Sequence, residues 1–226
     1  LRDTLDPIAP RAMAVLDPVK LVITNWGELM GGDEVLDDCS APVHPHHPDM
    51  GKREFKLGRE VWIERTDYEE VQPKGFFRLF PGNKVRLKYG HVIECTGGTK
   101  DASGKLVEVQ ATLVPDTKSG TPGADAIKVK GNITWVAAAD AVQAEVRLYE
   151  RLFAAANPGS GELLDELNKA SLEVCSAYVE PSLAKAQEGA AFQFERHGYF
   201  VLDAKASAGG KRVFNRAAGM RDSWGK

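Results

Sequence analysis

Apolar and polar residues alternate with a period of two along much of this chain. Val85, Leu87 and Tyr89 alternate with Lys84, Arg86 and Lys88, and Val107, Val109, Ala111 and Leu113 alternate with polar neighbours. Glu145 to Tyr149 repeats the pattern. Successive side chains of a strand point to opposite faces, so this period predicts half-buried strands. Val19 to Thr24 and Val61 to Ile63 are rich in strand-forming residues. Ile127 to Lys130 predicts another strand, continued by Ile133 to Val136. Residues 27–51 and 115–126 carry the Gly, Pro, Ser and acidic residues of irregular connections. Helix is sparse. Glu162 to Lys169, with Leu163, Leu164 and Leu167 on one face, predicts a short one. Pro181 to Glu188, with Pro in the first turn and Gly189 behind it, predicts another. Regularly spaced short strands with few helices predict a mainly β protein of one or two barrels or sandwiches. Barrel closure has the advantage of removing exposed strand edges. No internal sequence repeat is evident.

Composition narrows the class. The 226 residues suit one large or two small domains, and 43% hydrophobic with 27% charged residues is ordinary for a water-soluble globular protein. No apolar run is long enough to span a membrane, and no secretory signal pattern opens the chain. Cys39, Cys95 and Cys175 are odd in number and far apart, which points to free thiols in a reducing compartment. Leu1 to Pro10, with Pro7 and Pro10 and no initial Met, reads as the tail of an upstream segment, so the chain is expected to be an excised fragment.

Net charge is −3, which does not suggest a nucleic-acid binder, but its distribution does. No basic residue lies between Lys20 and Lys52, where Glu28, Asp33, Glu34, Asp37 and Asp38 are acidic. No acidic residue lies from Lys74 to Ile93, where Lys74, Arg78, Lys84, Arg86 and Lys88 are basic. A polyanion responds to this local field rather than to the sum. Lys84, Arg86 and Lys88 share one strand face at a spacing of about 6.6 Å, a row suited to phosphates that fixes register without reading bases. A solvated strand face is the plain alternative. Arg78, within Phe76-Phe77-Arg78-Leu79-Phe80-Pro81-Gly82, has the fork to engage guanine or to stack on a base. Phe76, Phe77 and Phe80 are candidates for base stacking, but at least two are expected in the core.

Five blocks carry a resemblance. In order they are Pro10-Arg11-Ala12-Met13-Ala14-Val15 with Asp17 to Leu21, Lys130 to Val136, Ala144 to Phe153, Gln193 to Arg196 with Gly198 to Asp203, and Val213 to Arg216. In this order and spacing the chain resembles the anticodon-binding region of the glutaminyl-tRNA synthetase family, from about residue 10 to its end. The resemblance implies two six-stranded β-barrels that exchange elements, an architecture shared with a ribosomal-protein barrel family. It implies a linker over residues 1–11, a first barrel over 12–115, a second over 116–205, and a segment 206–226 returning to the first barrel. The archaeal or eukaryotic type of glutamyl-tRNA synthetase shares this region. Ala12 to Val15 and Phe192 to Arg196 favour the glutamine enzyme over that rival. A free-standing barrel protein that binds structured RNA, and a protein-interaction module, are further alternatives.

The resemblance also implies roles. Arg11, Gln193 and Arg196 meet the middle anticodon base, Arg78 the third and Lys88 the first, while Arg86 lies near an anticodon phosphate. Lys74 and Lys84 are phosphate candidates from their place in the basic segment. An amide and a guanidinium together can satisfy the donor and acceptors of a uracil edge. Gln193 and Arg196 are three residues apart, so a bend near Gly198 is needed to bring them to one side. Competing readings make Glu195 and Arg196 a surface ion pair and Arg11 a salt-bridge partner toward the missing catalytic part. Lys88 stands where the family often has Arg, which removes the planar fork. Gly75 and Phe77 stand where polar contacts are usual, so third-base reading is expected to differ.

No catalytic constellation is visible. The class I HIGH-like and KMSKS-like motifs, a P-loop and a dinucleotide fingerprint are all missing. By resemblance the fragment itself needs no cofactor, ATP and Mg²⁺ belong to a catalytic domain elsewhere in the parent enzyme, and the fragment alone is inactive. The implied partners are the tRNA(Gln) anticodon stem-loop and the enzyme's own catalytic domain, met near residues 1–18 and 204–226, in a cytoplasmic monomer. Cys39, His44, His46 and His47 lack the regular ligand pairs of a zinc site, and nickel capture is the expected consequence of the His run. His91 and His197 are expected at the surface or a barrel rim. Ser160 and Ser223 sit in no nucleophile motif. Trp26, Trp62 and Trp135 are expected to pack in the core or rim, and Trp224 to anchor the C-terminal end.

Overall fold

The computed structural model describes residues 1–155, 157–159 and 162–221. Ser160, Ser223 and Trp224 therefore lie outside the described residues. Helix α1 (Arg2–Leu5) leads to the short strands β1 (Arg11–Ala12) and β2 (Ala14–Val15), then β3 (Pro18–Ile23) and helix α2 (Trp26–Met30). A hairpin of β4 (Asp37–Pro42) and β5 (Lys52–Leu57) follows, then β6 (Glu60–Glu64), β7 (Lys84–Leu87), β8 (Val92–Lys100) and β9 (Leu106–Leu113). The remainder contains β10 (Gly131–Ile133), β11 (Trp135–Ala137), β12 (Val142–Tyr149), β13 (Leu172–Val179), β14 (Ala191–Phe194), β15 (Gly198–Leu202) and β16 (Arg212–Gly219).

Two seven-stranded sheets result, and each closes through the chain itself. The first runs β10-β7-β8-β9-β3-β6-β11, and its edge strands are separated only by Thr134. The second runs β1-β14-β15-β16-β12-β13-β2, and its edge strands are separated only by Met13. In each sheet two strands are halves of one run, so each is a barrel of six chain segments. The exchange is physical: residues 11–15 precede the first barrel but close the second, and residues 131–137 follow the first barrel's other strands and complete it.

Strand periodicity explains the exchange. Ala12 and Ala14 point into the second core while Met13, between them, points into the first. A strand buried on both faces reads as an unbroken small-apolar run, as Ala12 to Val15 does. At the break, the Met13 N–H donates to a Glu180 carboxylate oxygen at 2.8 Å and the Met13 carbonyl accepts from the Glu180 N–H at 3.0 Å. Glu180 thereby satisfies backbone groups that leave the ladder.

Several expectations are corrected. Residues 127–130 are not a strand; pairing begins at Gly131. Residues 162–169 form turns rather than a helix, because Leu163 and Leu164 are exposed and no apolar face is covered to stabilise one. Pro181–Lys185 is a 3₁₀ turn that ends at Ala186, short of Glu188. The segment expected to return to the first barrel instead supplies β16, paired with β12 and β15 of the second. Of the aromatic trio, Phe77 is exposed and Phe76 and Phe80 are only half-buried. Trp26 and Trp135 are fully buried, and Trp62 stacks on Tyr178 across the barrels at 4.4 Å. The three cysteines are free, and burial pushes the Cys39 thiol up to about 12 and the Cys95 thiol to about 11. No helix of the described residues is long and apolar enough to cross a membrane.

Candidate nucleic-acid interface

The seam between the barrels is organised by the end of β14 and the turn after it. Phe194 points inward, stacked on Phe200 at 4.3 Å, so Gln193 and Glu195 share the opposite face. The β14–β15 ladder ends at the pair Phe194 and Gly198. Arg196, in the tight turn between them, has φ 74°, a left-handed conformation uncommon outside glycine. Gly198 has φ 139°, and a Cβ there would collide with the Ala218 carbonyl. The chain therefore turns sharply between Phe194 and Gly198.

Gln193 faces Arg11, its register partner in the parallel pairing of β1 and β14. Both are buried, at 8% exposure each. The Gln193 amide donates to the Tyr199 hydroxyl at 2.8 Å and to Asp6 Oδ1 at 3.3 Å. Tyr199 in turn donates to Asp6 Oδ1 at 2.5 Å. These bonds orient the amide, with nitrogen toward Tyr199 and Oε1 left as an acceptor. Arg11 holds the linker: it donates to Asp6 Oδ1 at 2.9 Å, to the Asp6 carbonyl at 3.2 Å and to the Ala9 carbonyl at 3.3 Å. The Tyr199 hydrogen bond, then Arg11, keep the Asp6 carboxyl below its usual range. Burial, then Asp6, push the Tyr199 phenol up.

Glu195, 4% exposed, gathers cations from the first barrel. It pairs with Lys88 and Arg53 and accepts from the Tyr89 hydroxyl at 3.0 Å. Tyr89 is also left-handed, with φ 65°, and its ring lies 5.2 Å from Lys88 Nζ and 5.3 Å from the Arg53 guanidinium carbon. Arg53 reaches on to Glu180 at 2.8 Å. Burial alone would lower Arg53, but the charges of Glu180 and Glu195 outweigh it and raise it. Burial pushes the Glu180 carboxyl up despite Arg53 and Ser182.

Arg196 completes the row. Its Nη1 and Nη2 donate to the two oxygens of Asp67 at 2.8 and 2.7 Å, and Nη1 also reaches Thr134 Oγ1 at 3.4 Å. The Asp67 hydrogen bond is the main cause that raises Arg196. Arg78 approaches the same carboxylate, with Nε 3.3 Å from Asp67 Oδ1, and its guanidinium lies over the Phe76 ring at 4.6 Å. The segment Gln193 to Arg196 thus touches Arg11 at one end, Lys88 in the middle and, through Asp67, Arg78 at the other. Five candidates thus meet along four consecutive residues.

Comparison with known proteins identifies the family. A family model described as the anticodon-binding domain of class I (E and Q) tRNA synthetases matches residues 9–114, and a second of the same description matches residues 132–203. The glutamine–tRNA ligase of Ralstonia pickettii is 59% identical over 100% of this chain and 39% of its own length. That of Cupriavidus necator is 60% identical over 100% of the chain and 38% of its own, and that of Bordetella pertussis 58% over 99% and 38%. The chain belongs to the glutaminyl-tRNA synthetase family. It spans under two-fifths of the length of these synthetases, and identity at this level does not favour the glutamyl-tRNA synthetase rival.

Within this synthetase chain the basic row differs from expectation. Lys84 is paired to Glu94 at 3.0 Å. Arg86 is turned inward: it donates to the carbonyls of Thr117 at 2.5 Å, Ala124 at 2.7 Å and Gly90 at 3.1 Å, and to Ser119 Oγ at 3.2 Å. Its guanidinium fastens the 115–126 loop to β7 and is not open to a phosphate, because the loop's own carbonyls take its donors. Lys74 is exposed. Glu195 and Arg196 are not paired to each other, since each finds a different partner across the seam.

The histidines also have structural occupations. His44 Nδ1 accepts from the His46 N–H at 3.1 Å, which makes Nε2 the donor to the Asp6 carbonyl at 2.9 Å. His47 Nε2 lies 2.8 Å from the Pro7 carbonyl. Both hold the linker. His91 is buried against Asp37 at 2.8 Å, and His197 Nε2 lies 2.9 Å from Glu64 across the seam, so neither is a free rim residue. A separate cleft of about 480 Å³ includes Trp62 and Tyr178 and shares no lining residue with the interface. Sequence reasoning missed Asp6, Arg53, Asp67, Tyr89 and Tyr199. Among these, only Tyr199 lay in a block that carried the resemblance.

Proposed function

We propose that this chain reads the anticodon of tRNA(Gln) for a parent enzyme that attaches glutamine to that tRNA with ATP and Mg²⁺ bound outside this chain. The single observation that supports the reading is the row along Gln193 to Arg196, where amide, ammonium and guanidinium groups from both barrels are held at one seam. Unpaired RNA bases are read on their pairing edges by such groups and by stacking. Gln193, with its amide nitrogen committed to Tyr199 and Asp6, offers Oε1 to the N3–H of a middle uracil, and Arg11 and Arg196 offer donors to its carbonyls. Arg78 serves the third base and Lys88 the first. Lys74 and Lys84 contribute charge toward phosphates, and Arg86 acts indirectly by holding the 115–126 loop. The working unit is a cytoplasmic monomer that joins the catalytic domain through the linker ending at Arg11.

The test is filter binding of anticodon stem-loops carrying CUG or UUG against a stem-loop with a scrambled anticodon, repeated over a salt series. Cognate loops should bind about tenfold or more tightly, with log affinity falling as log salt rises. Equal affinity for all loops, or no salt dependence, would overturn the reading.

A further inference from the structure

Beside Arg78 lies a second cation on an aromatic ring. The loop that carries it is firmly placed. Gln72 donates to the Phe76 carbonyl at 2.8 Å, and Asn83 donates to the carbonyls of Phe77 at 3.2 Å and Arg78 at 2.6 Å. Gly131, the first residue of β10, passes so close beneath that a Cβ would collide with the Phe77 carbonyl. That approach sets the preceding residue, Lys130, over the Phe77 ring, with Nζ 4.8 Å from the centroid.

Phe77 is 45% exposed, an unusual state for a phenyl group with no polar tip. The lysines on the two segments that meet at this ring are also open. Of the other lysines in the basic segment, Lys84 and Lys88 sit against carboxylates. Lys74, Lys128 and Lys130 are exposed and have no carboxylate partner among the described residues. Gly131 pairs with Val85, so Lys130 also borders the strand that carries Lys84. An open ring that carries one unneutralised ammonium, with further open lysines on the same two segments, matches a nucleotide, whose base offers a π-face and whose phosphate offers a charge. An apolar protein surface would leave those ammonium groups desolvated and unpaired.

We propose that Phe77 and Lys130 form a stacking subsite for an unpaired RNA nucleotide next to the one met by Arg78. The base lies on Phe77 and Lys130 moves from the ring to the nucleotide's phosphate. The proposal rests on the RNA-reading function above. It also gives Phe77 a task at a position where a polar contact was expected.

The experiment uses the chain and a CUG stem-loop with 2-aminopurine at one loop position at a time. One position should be quenched on binding, and Phe77→Ala should remove that quench and weaken binding about tenfold, whereas Phe77→Trp should retain both. An abasic site at the same position should abolish the difference between the original chain and Phe77→Ala. Lys130→Ala should leave the quench and shallow the salt slope by about one. If Phe77→Ala binds as before with every 2-aminopurine response intact, the subsite is overturned. If Arg78→Ala loses affinity while Phe77→Ala does not, the subsite alone fails. If no stem-loop binds the original chain, the RNA reading fails and carries the subsite with it.

Discussion

Arg196 donates from Nη1 and Nη2 to both oxygens of Asp67, at 2.8 and 2.7 Å, and Asp67 has no exposed side-chain surface. A carboxylate so placed is held by its partners, and Arg78 is the second of them at 3.3 Å. Asp67 therefore fixes two proposed base contacts from beneath. Asp67→Asn keeps the shape but loses the charge and one acceptor. It should cost about 2–3 kcal/mol in urea unfolding and weaken cognate stem-loop binding more than Arg78→Ala does. A variant that loses less than Arg78→Ala would separate Asp67 from the positioning of Arg196.

Tyr199→Phe tests the amide orientation. The hydroxyl accepts from Gln193 and donates to Asp6, and its removal should cost about 1 kcal/mol of stability. Discrimination between uracil and cytosine at the middle position should fall several-fold, because the Gln193 amide is then free to rotate. Retained discrimination would show that Tyr199 does not orient it.

Arg53 bridges Glu180 and Glu195, all three buried. Removing one member of such a network leaves charge without a partner. Arg53→Met should cost about 3–5 kcal/mol in denaturant unfolding, and adding Glu180→Gln and Glu195→Gln should recover part of it. A loss under about 1 kcal/mol would mean that solvent reaches the carboxylates.

Acid should loosen the seam at Glu64. Burial pulls this carboxyl upward, but His197 and the backbone N–H groups of Leu16 and Asp17 outweigh it, so the folded value lies below the ordinary 4.5. The folded state then binds fewer protons than the unfolded one. The contribution is fully present above about pH 4.5 and disappears as the pH falls through the lowered value. Glu64→Gln should flatten that part of the stability–pH curve, measured by urea midpoints at successive pH values. An unchanged acid limb would assign the loss to other carboxylates.

Much of the fold was legible because strand alternation is a local property. Lys84 to Tyr89 and Val107 to Leu113 announced β7 and β9 without knowledge of their neighbours. The helix expected over 162–169 failed for the complementary reason: Leu163 and Leu164 have the right spacing, but they are exposed among the described residues. The partners of the basic row were illegible for a similar reason. Lys84, Arg86 and Lys88 do follow one another on one strand path, yet Glu94, the Thr117 and Ala124 carbonyls and Glu195 claim them, and all of these are distant in sequence or on another strand. Gln193, Arg196 and Arg11 were found through the resemblance. Asp6, Asp67 and Arg53 carried no local signal, since a lone charged residue in a linker, a turn or a strand looks like any solvated one.

From the order of its residues alone, this protein was determined to be a mainly β member of its family with a locally basic segment, because periodicity, composition and motif spacing need no knowledge of neighbours. Only the tertiary structure decided which strand closes which barrel and which cation meets which carboxylate. Those are long-range choices, set where Met13 and Ala12 turn to different cores and where Arg53 and Arg196 cross the seam to partners more than a hundred residues away.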